Sequence, residues 1–262
     1  LLAVVFLLAL IAPWVLSTGL GNRFLRSQVN GRIAGTFTAD DINVGWLWGT
    51  GVRGGELRDP SGAVVVAGLD VRAGSLGLLD VLRGKGWGEV AVAVDAVDVV
   101  QLPGERTNLE AALALRDPAE DDPDAEPFRF PRGLGLKTVL AAQRVSYRAG
   151  DDLAVTVLHD LSVTLDASDE RRITAGLTGR VERDGASGVI DAEAALLDFV
   201  GDGGVLRWRQ AGVEASADVL ELPLEPVDRL LGLGGKLSAL LGPTLEAKLT
   251  AGGTLAAPEA EL

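Results

Sequence analysis

Histidine and cysteine, two residue types that often carry catalysis, are nearly absent from this chain. The 262 residues include one histidine, His159, and no cysteine. Cysteine nucleophiles, disulfides, thiolate metal sites and zinc sites built on several histidines are therefore excluded. His159 lies in DDLAVTVLHDLSVTLD, residues 151–166, where it interrupts apolar residues at every second position. We interpret it as a residue at a bend or bulge, or near a rim; a pH-sensitive gate is the alternative.

Acidic residues are the second candidates for chemistry, and they concentrate in residues 116–131, RDPAEDDPDAEPFRFP, which hold six acids and four prolines. The segment lacks the glycine and the closing glutamate of a calcium loop, so we interpret it as a solvated linker or loop rather than a metal loop or docking tail. The glycine-rich stretches RGKGWGE and GLGNR match no phosphate-binding fingerprint. We therefore expect no metal, no cofactor and no catalytic residue, and predict that the protein is not an enzyme.

The net charge of the chain limits the kinds of partner that we expect it to bind. The net charge is −13 and the sequence pI is about 4.5. Nucleic-acid binding needs a basic face, so it is not expected. The chain also has no polybasic stretch of the kind that recognises anionic lipid headgroups.

The first 22 residues, LLAVVFLLALIAPWVLSTGLGN, carry no charge. About 20 apolar residues span a bilayer, so residues 1–22 are predicted to form a transmembrane anchor helix, with a cleaved signal peptide as the alternative. Trp14 fits the interfacial end of such a helix, and Arg23, Arg26 and Arg32 follow it. The residues assigned to the anchor are Leu1, Val4, Val5, Phe6, Leu7, Leu8, Leu10, Ile11 and Trp14.

A period of two dominates the rest of the chain and predicts strands with one apolar face. Short turns rich in Gly and Asp favour an antiparallel meander. Helical periodicity appears in GLGNRFLRSQVNGRIAG, in TNLEAALAL, which Asn108 is expected to cap, and in LEPVDRLLGLGGKLSALLG. The pattern leaves two architectures open: a sheet curled into a trough, or two sheets packed as a sandwich.

The order of these pieces resembles the AsmA/TamB-like family of bacterial envelope proteins. An uncharged N-terminal helix leads into VNGRIAGTFTADDINVGWLWGTGVRGGELRDPSG, followed by LDVRAGSLGLLDVLRGKGWGEVAVAVDAVDVV and, near the end, LTAGGTLAAPEAEL. The resemblance implies a mainly β fold: an N-terminal transmembrane helix, then a long antiparallel sheet curled into an apolar groove, with short helices at its edges. It also implies an N-terminal portion of a longer protein.

The resulting division has four parts. Residues 1–22 form the anchor, 23–115 a first β-groove unit, 116–131 the acidic, proline-rich linker, and 132–262 further groove units with a helical insert near 224–241. The candidate lining of the groove is a set of apolar residues on alternating strand positions: Val90, Val92, Val94, Leu153, Val155, Val157, Leu161, Val163, Leu165, Ile173, Leu177 and Val181.

The resemblance implies a lipid conduit that moves phospholipids between inner and outer membranes. The protein would sit in the inner membrane through one span, with its bulk in the periplasm, and a further C-terminal part would bind an outer-membrane protein partner. The alternative function is an assembly or secretion factor for outer-membrane proteins, which would hold unfolded strands by edge pairing. A structural envelope spacer, whose apolar face is closed by a second sheet, is a third hypothesis.

Overall fold

The computed structural model describes residues 18–44, 50–74, 88–102, 106–116, 136–148, 155–169, 171–200, 207, 210–225, 228, 234–254 and 256–261. Within these ranges the protein is mainly β. Its helices are α1 (Gly19–Arg32), α2 (Asn108–Leu113) and α3 (Lys236–Leu241). Its strands are β1 (Thr36–Thr38), β2 (Asp41–Asn43), β3 (Thr50–Arg58), β4 (Val64–Ala73), β5 (Gly88–Val100), β6 (Leu136–Arg148), β7 (Val155–Asp169), β8 (Arg172–Arg183), β9 (Ala186–Leu197), β10 (Gly212–Pro223), β11 (Thr244–Thr254) and β12 (Ala257–Glu261).

All twelve strands belong to one open sheet. Its order is β1-β3-β4-β5-β6-β7-β8-β9-β10-β11-β12, and β2 also pairs with β3. Sequential strands are neighbours almost throughout, as short turns dictate. The described residues contain no second sheet, so the sandwich of two packed sheets is not found in this part of the chain, which forms one open sheet.

One pair of strands departs from the predicted antiparallel order. β5 and β6 run parallel, with Gly88 opposite Leu136 and Val100 opposite Arg148. Parallel neighbours need a long crossover, and residues 101–135, which include α2, return the chain to the end of the sheet where β5 began. The sheet therefore continues across the predicted linker at 116–131; residues 117–135 lie outside the described ranges.

A β-bulge interrupts the alternation of β7. His159 lies opposite Arg180 and Ser162 opposite Thr178, so two residues, Asp160 and Leu161, oppose one residue of β8. Asp160 has φ 51°, in the left-handed region, which is typical of a bulge. Because side chains alternate along a strand, one extra residue exchanges the faces of all positions beyond it.

The registers define an apolar face and a polar face of the sheet. Val163, for example, pairs with Leu140 on one side and with Leu177 on the other. The apolar face, followed from strand to strand in this way, consists of Val90, Val92, Val94, Val97, Leu136, Leu140, Ala142, Leu158, Leu161, Val163, Leu165, Ile173, Ala175, Leu177, Val181, Ile190, Ala192, Ala194, Leu196, Val213, Ala215, Ala217, Val219, Ala247, Leu249 and Ala251.

Two small clusters of buried apolar residues pack together in the described part of the chain, while Phe199 and Leu224 are buried outside them. Leu57, Val65 and Ala112 form one where α2 packs near β3 and β4. Val181, Val219 and Leu222 form the other, at one end of the apolar face. The middle of the apolar face lies between them and belongs to neither cluster.

The short helices follow their sequence signals, with one correction. The predicted helix after residue 18 is confirmed as α1, and the hydroxyl of Thr18 accepts a hydrogen bond from the Gly21 amide at 3.4 Å. α2 is capped by Thr107 in a capping box with Glu110, not by Asn108. Asn108 is instead buried and ties α2 to β5, because its amide oxygen accepts from the Val100 amide at 2.8 Å.

The predicted fold class included an N-terminal transmembrane helix, and this part is wrong. Within the described ranges, no helix is long and apolar enough to cross a membrane. The helix that overlaps the predicted anchor is α1, which has 14 residues and carries Arg23, Arg26 and Arg32. At a rise of about 1.5 Å per residue it falls short of a hydrocarbon core of about 30 Å. Residues 1–17, with the anchor residues from Leu1 to Trp14, lie outside the described ranges.

Candidate functional site

The middle of the apolar face is the candidate functional site. Its side chains pack against their neighbours in the sheet but are only half-buried, and Ala194 is exposed. Leu165, at the end of the face away from the Val181 cluster, is 36% exposed. A contiguous apolar patch of more than a few hundred Å² marks a binding surface in a folded protein.

A shallow cavity of about 480 Å³ lies on this face. Its size is that of a small-molecule site, which typically measures about 300–1,000 Å³. Five strands, β7 to β11, contribute to its wall. The apolar residues that line it are Val163, Ala175, Leu177, Ala192, Ala194, Ala215, Ala217, Leu249 and Ala251.

A row of alanines forms the floor of this cavity. Ala175, Ala194, Ala215 and Ala251 lie directly opposite one another on β8, β9, β10 and β11. Larger residues flank the row on the neighbouring positions of the same strands: Ile173, Leu196 and Val213 on one side and Leu177 and Leu249 on the other. We call this row the alanine furrow; it runs across the strands for about 14 Å, at about 4.8 Å per strand.

The structure brings most of the predicted lining residues onto the apolar face. Nine of them lie there: Val90, Val92, Val94, Leu161, Val163, Leu165, Ile173, Leu177 and Val181. Val155 and Val157 lie on the polar face, because the bulge at Asp160 separates them from Leu161; Val157 stands opposite Ser146 and Glu182. Leu153 lies outside the described residues.

Sequence reasoning missed the alanine furrow. The alternating alanines of DAEAALL and VEASADV, residues 191–197 and 213–219, were the available signal. Alanine is common on both faces of sheets, so its place opposite three other alanines emerges only from the register of β8 to β11.

One end of the apolar face is closed by the last residues of β10. Leu222, near the end of that strand, packs with Val181 and Val219. A Cβ on Gly188 would lie 2.6 Å from the Leu222 Cα, which explains why a glycine stands at that position.

A buried arginine, Arg183, holds together the strands at the same end of the apolar face. The side chain of Arg183 is 5% exposed. Its Nη1 donates to the Thr156 hydroxyl at 3.0 Å, and its Nε pairs with the Glu225 carboxylate. A buried cation needs such partners, so Arg183 is interpreted as a structural tie between β7, β8 and the segment after β10.

The polar face carries exposed contacts between basic and acidic side chains. Arg172 Nη2 forms an ion pair with Glu214 Oε2 at 3.4 Å, and His159 Nε2 lies 3.2 Å from Glu182 Oε2. Exposed pairs of this kind contribute little to stability. His159 sits next to the bulge at Asp160, a position that suits the interpretation of a bend.

Asp166 is the polar-face carboxylate with the most strongly shifted titration. The Ser168 hydroxyl and backbone amide donate to its Oδ1 at 2.5 and 3.0 Å, and Lys137 Nζ lies 3.0 Å from its Oδ2. Together these contacts lower the pKa of Asp166 from 3.8 to about 2, and the hydrogen bond from the Ser168 hydroxyl has the largest effect. The carboxylate therefore stays charged throughout the neutral range.

Within the described part of the chain, no group of three or more His, Asp or Glu residues is placed to hold a metal ion. The acidic cluster from Asp117 to Glu126 lies outside it.

Comparison with known proteins adds no relative. No protein-family model, no curated protein and no solved structure matches this chain.

Proposed function

We propose that this protein is a lipid-transfer module of the AsmA/TamB-like type, which carries phospholipids between the inner and outer membranes along its apolar face. The periplasm is the compartment in which it would act, and phospholipids are its cargo. The observation that carries the proposal is the apolar face, continuous from β5 to β11, which no second sheet covers among the residues that the structure describes.

The energetics of acyl chains favour such a surface. Each methylene exposed to water costs about 0.8 kcal/mol, so a phospholipid with about 30 methylenes faces roughly 24 kcal/mol in unaided transfer. Seven strands at about 4.8 Å give a face about 29 Å wide across the strands. That width compares with the hydrocarbon thickness of both leaflets, about 30 Å.

The composition of the face suits movement along it. The alanine furrow and its flanking Leu, Ile and Val residues offer apolar contact, because Glu193, which also borders the cavity, alternates with Ala192 and Ala194 and belongs to the polar face. Acyl chains meet no specific hydrogen-bond partner there, and a ligand held only by apolar contact can shift by one methylene at little cost. This supports a conduit for many phospholipids over a site for one headgroup.

A second candidate function is the assembly or secretion of outer-membrane proteins. Among the described strands, β12 pairs only with β11 and leaves one edge of the sheet free. A free edge is a template for an added strand. This function predicts binding of unfolded β-peptides at β12, whereas the apolar face would play no part.

Lipid retention by matched variants tests the first proposal. Ala194 on the apolar face and Ala91 on the polar face are both exposed, so Ala194→Asp and Ala91→Asp compare the same change on the two faces. The full-length protein, purified without added lipid, is expected to retain phospholipids in native mass spectrometry. Ala194→Asp should lose most of them, because a carboxylate in the furrow resists burial beneath an acyl chain. Ala91→Asp should retain them.

Two results would overturn the conduit. One is a folded wild-type protein that holds no lipid. The other is an equal loss of lipid in both variants, with circular dichroism showing that both are folded.

A further inference from the structure

We propose that α1 docks the protein on the surface of an anionic phospholipid bilayer. The contact is made by the outward side of the helix and by the basic residues at its two ends. It is separate from the apolar face and does not depend on lipid transfer.

The charge of α1 is opposite to that of the protein. The chain has 24 basic and 37 acidic residues, yet α1 contains three arginines, Arg23, Arg26 and Arg32, and no acidic residue. The fold adds a fourth that is distant in sequence. Arg116 donates its backbone amide to the Arg32 carbonyl at 2.9 Å and its Nε to the Ile33 carbonyl at 2.6 Å. A basic site is thus assembled although the sequence has no polybasic stretch.

The roll of α1 about its axis is fixed by its inward side. Asn22 is buried, and its Nδ2 donates to Asp41 Oδ1 at 3.2 Å. Asn30 bonds to both backbone groups of Phe37, accepting from its amide at 2.6 Å and donating to its carbonyl at 3.0 Å. These contacts hold one side of the helix against β1 and β2.

The outward side therefore presents an aromatic residue to solvent. Phe24 is 57% exposed and lies beside the exposed residues Arg23, Ser27 and Gln28. An exposed phenylalanine flanked by arginines is the arrangement of a helix that lies in the headgroup layer, with the ring at the acyl boundary and the guanidinium groups on phosphates.

Two described acidic residues near α1 are engaged in other contacts. Asp41 lies on the inward side, engaged by Asn22, and is paired across strands with Arg53. Glu110 of α2 is hydrogen-bonded to Thr107 in the capping box of that helix. Among the described residues, α1 and the adjacent Arg116 form a basic surface; Asp117 to Glu126, which follow Arg116 in the chain, lie outside the described ranges.

Vesicle flotation with the full-length protein tests the proposal. Vesicles of equal parts phosphatidylglycerol and phosphatidylcholine are compared with vesicles of phosphatidylcholine alone. Residues 1–22 carry no charge and contribute equally to both, so the difference in partitioning measures the electrostatic contact. We expect tighter partitioning to the anionic vesicles, lost as added salt shortens the Debye length.

Matched variants locate the contact. Arg23→Gln with Arg32→Gln should weaken partitioning to the anionic vesicles about 25-fold, at about fivefold per arginine. Phe24→Ser should weaken it about tenfold. The controls are Arg171→Gln with Arg180→Gln, two exposed arginines elsewhere on the sheet, and Leu240→Ser, a residue of α3 that is 81% exposed. The controls should partition as the wild type does.

Equal partitioning to the two kinds of vesicle, or an equal loss in the control variants, would overturn the docking role of α1. Native mass spectrometry of the same variants separates this proposal from the conduit. The double arginine variant should retain its co-purified lipid, and loss of that lipid would mean that α1 is not an independent contact.

Discussion

At the scale of single residues, Asp166 shows how local contacts set a titration. Its lowered pKa arises first from the Ser168 hydroxyl and only later from Lys137. We expect Ser168→Ala to raise the pKa of Asp166 more than Lys137→Gln does. Carbon NMR of the Asp166 carboxyl group, followed against pH, measures both shifts. A larger shift in Lys137→Gln would show that the ion pair, and not the hydroxyl, controls this group.

The same contacts have a consequence for stability in acid. A carboxyl group whose folded pKa lies below its unfolded value stabilises the folded state above the unfolded pKa of 3.8. That contribution is lost as the pH falls through about 2. Asp166→Asn should therefore be less stable than the wild type near neutrality, and the gap between them should close on acidification. The side chain lies at the surface, so the gap is small.

At the scale of elements, the bulge of β7 controls which side chains reach the apolar face. Asp160 adopts φ 51°, which costs roughly 1–2 kcal/mol for residues other than glycine and less for aspartate. Asp160→Gly should preserve the bulge and raise the free energy of unfolding by about 0.5 kcal/mol. Asp160→Val should lower it by 1 kcal/mol or more, on the order of the left-handed penalty. Urea denaturation distinguishes the two, and similar values for both would show that the bulge is unstrained.

The bulge also shows which features of the fold can be predicted from the sequence and which cannot. Alternation predicted the strands and placed Leu161, Val163 and Leu165 together, as the register has them. It placed Val155 and Val157 with them because a period of two carries no signal of an added residue. The parallel pairing of β5 with β6 was not predicted, for a related reason. It depends on the path of residues 101–135, and their composition does not indicate in which direction the next strand runs. Local pattern determines the strands, whereas register and handedness of connection depend on the whole sheet.

At the scale of the whole molecule, the buried apolar residues are distributed in an unusual way. Most single domains bury one central core, but in the described part of this chain two small buried clusters lie beside an apolar face that no second sheet covers. The backbone pairing of the sheet joins the ends, and each strand between β3 and β11 has neighbours on both sides. The middle of the apolar face adds to stability chiefly when something apolar covers it. Lipid is therefore expected to act as part of the folded structure and not only as cargo.

Thermal unfolding with and without lipid tests this coupling. A ligand that binds only the folded state at 100 times its Kd stabilises that state by about 2.7 kcal/mol. For a chain of this size, that corresponds to a rise in Tm of roughly 5–10 °C. Delipidated wild type and Ala91→Asp should both show this rise when phosphatidylglycerol is added below its vesicle-forming concentration. Ala194→Asp should start from a similar Tm, because Ala194 is exposed, and should gain little. An equal rise in all three proteins would place the lipid somewhere other than the alanine furrow, and no rise in any of them would separate the stability of the sheet from the covering of its apolar face.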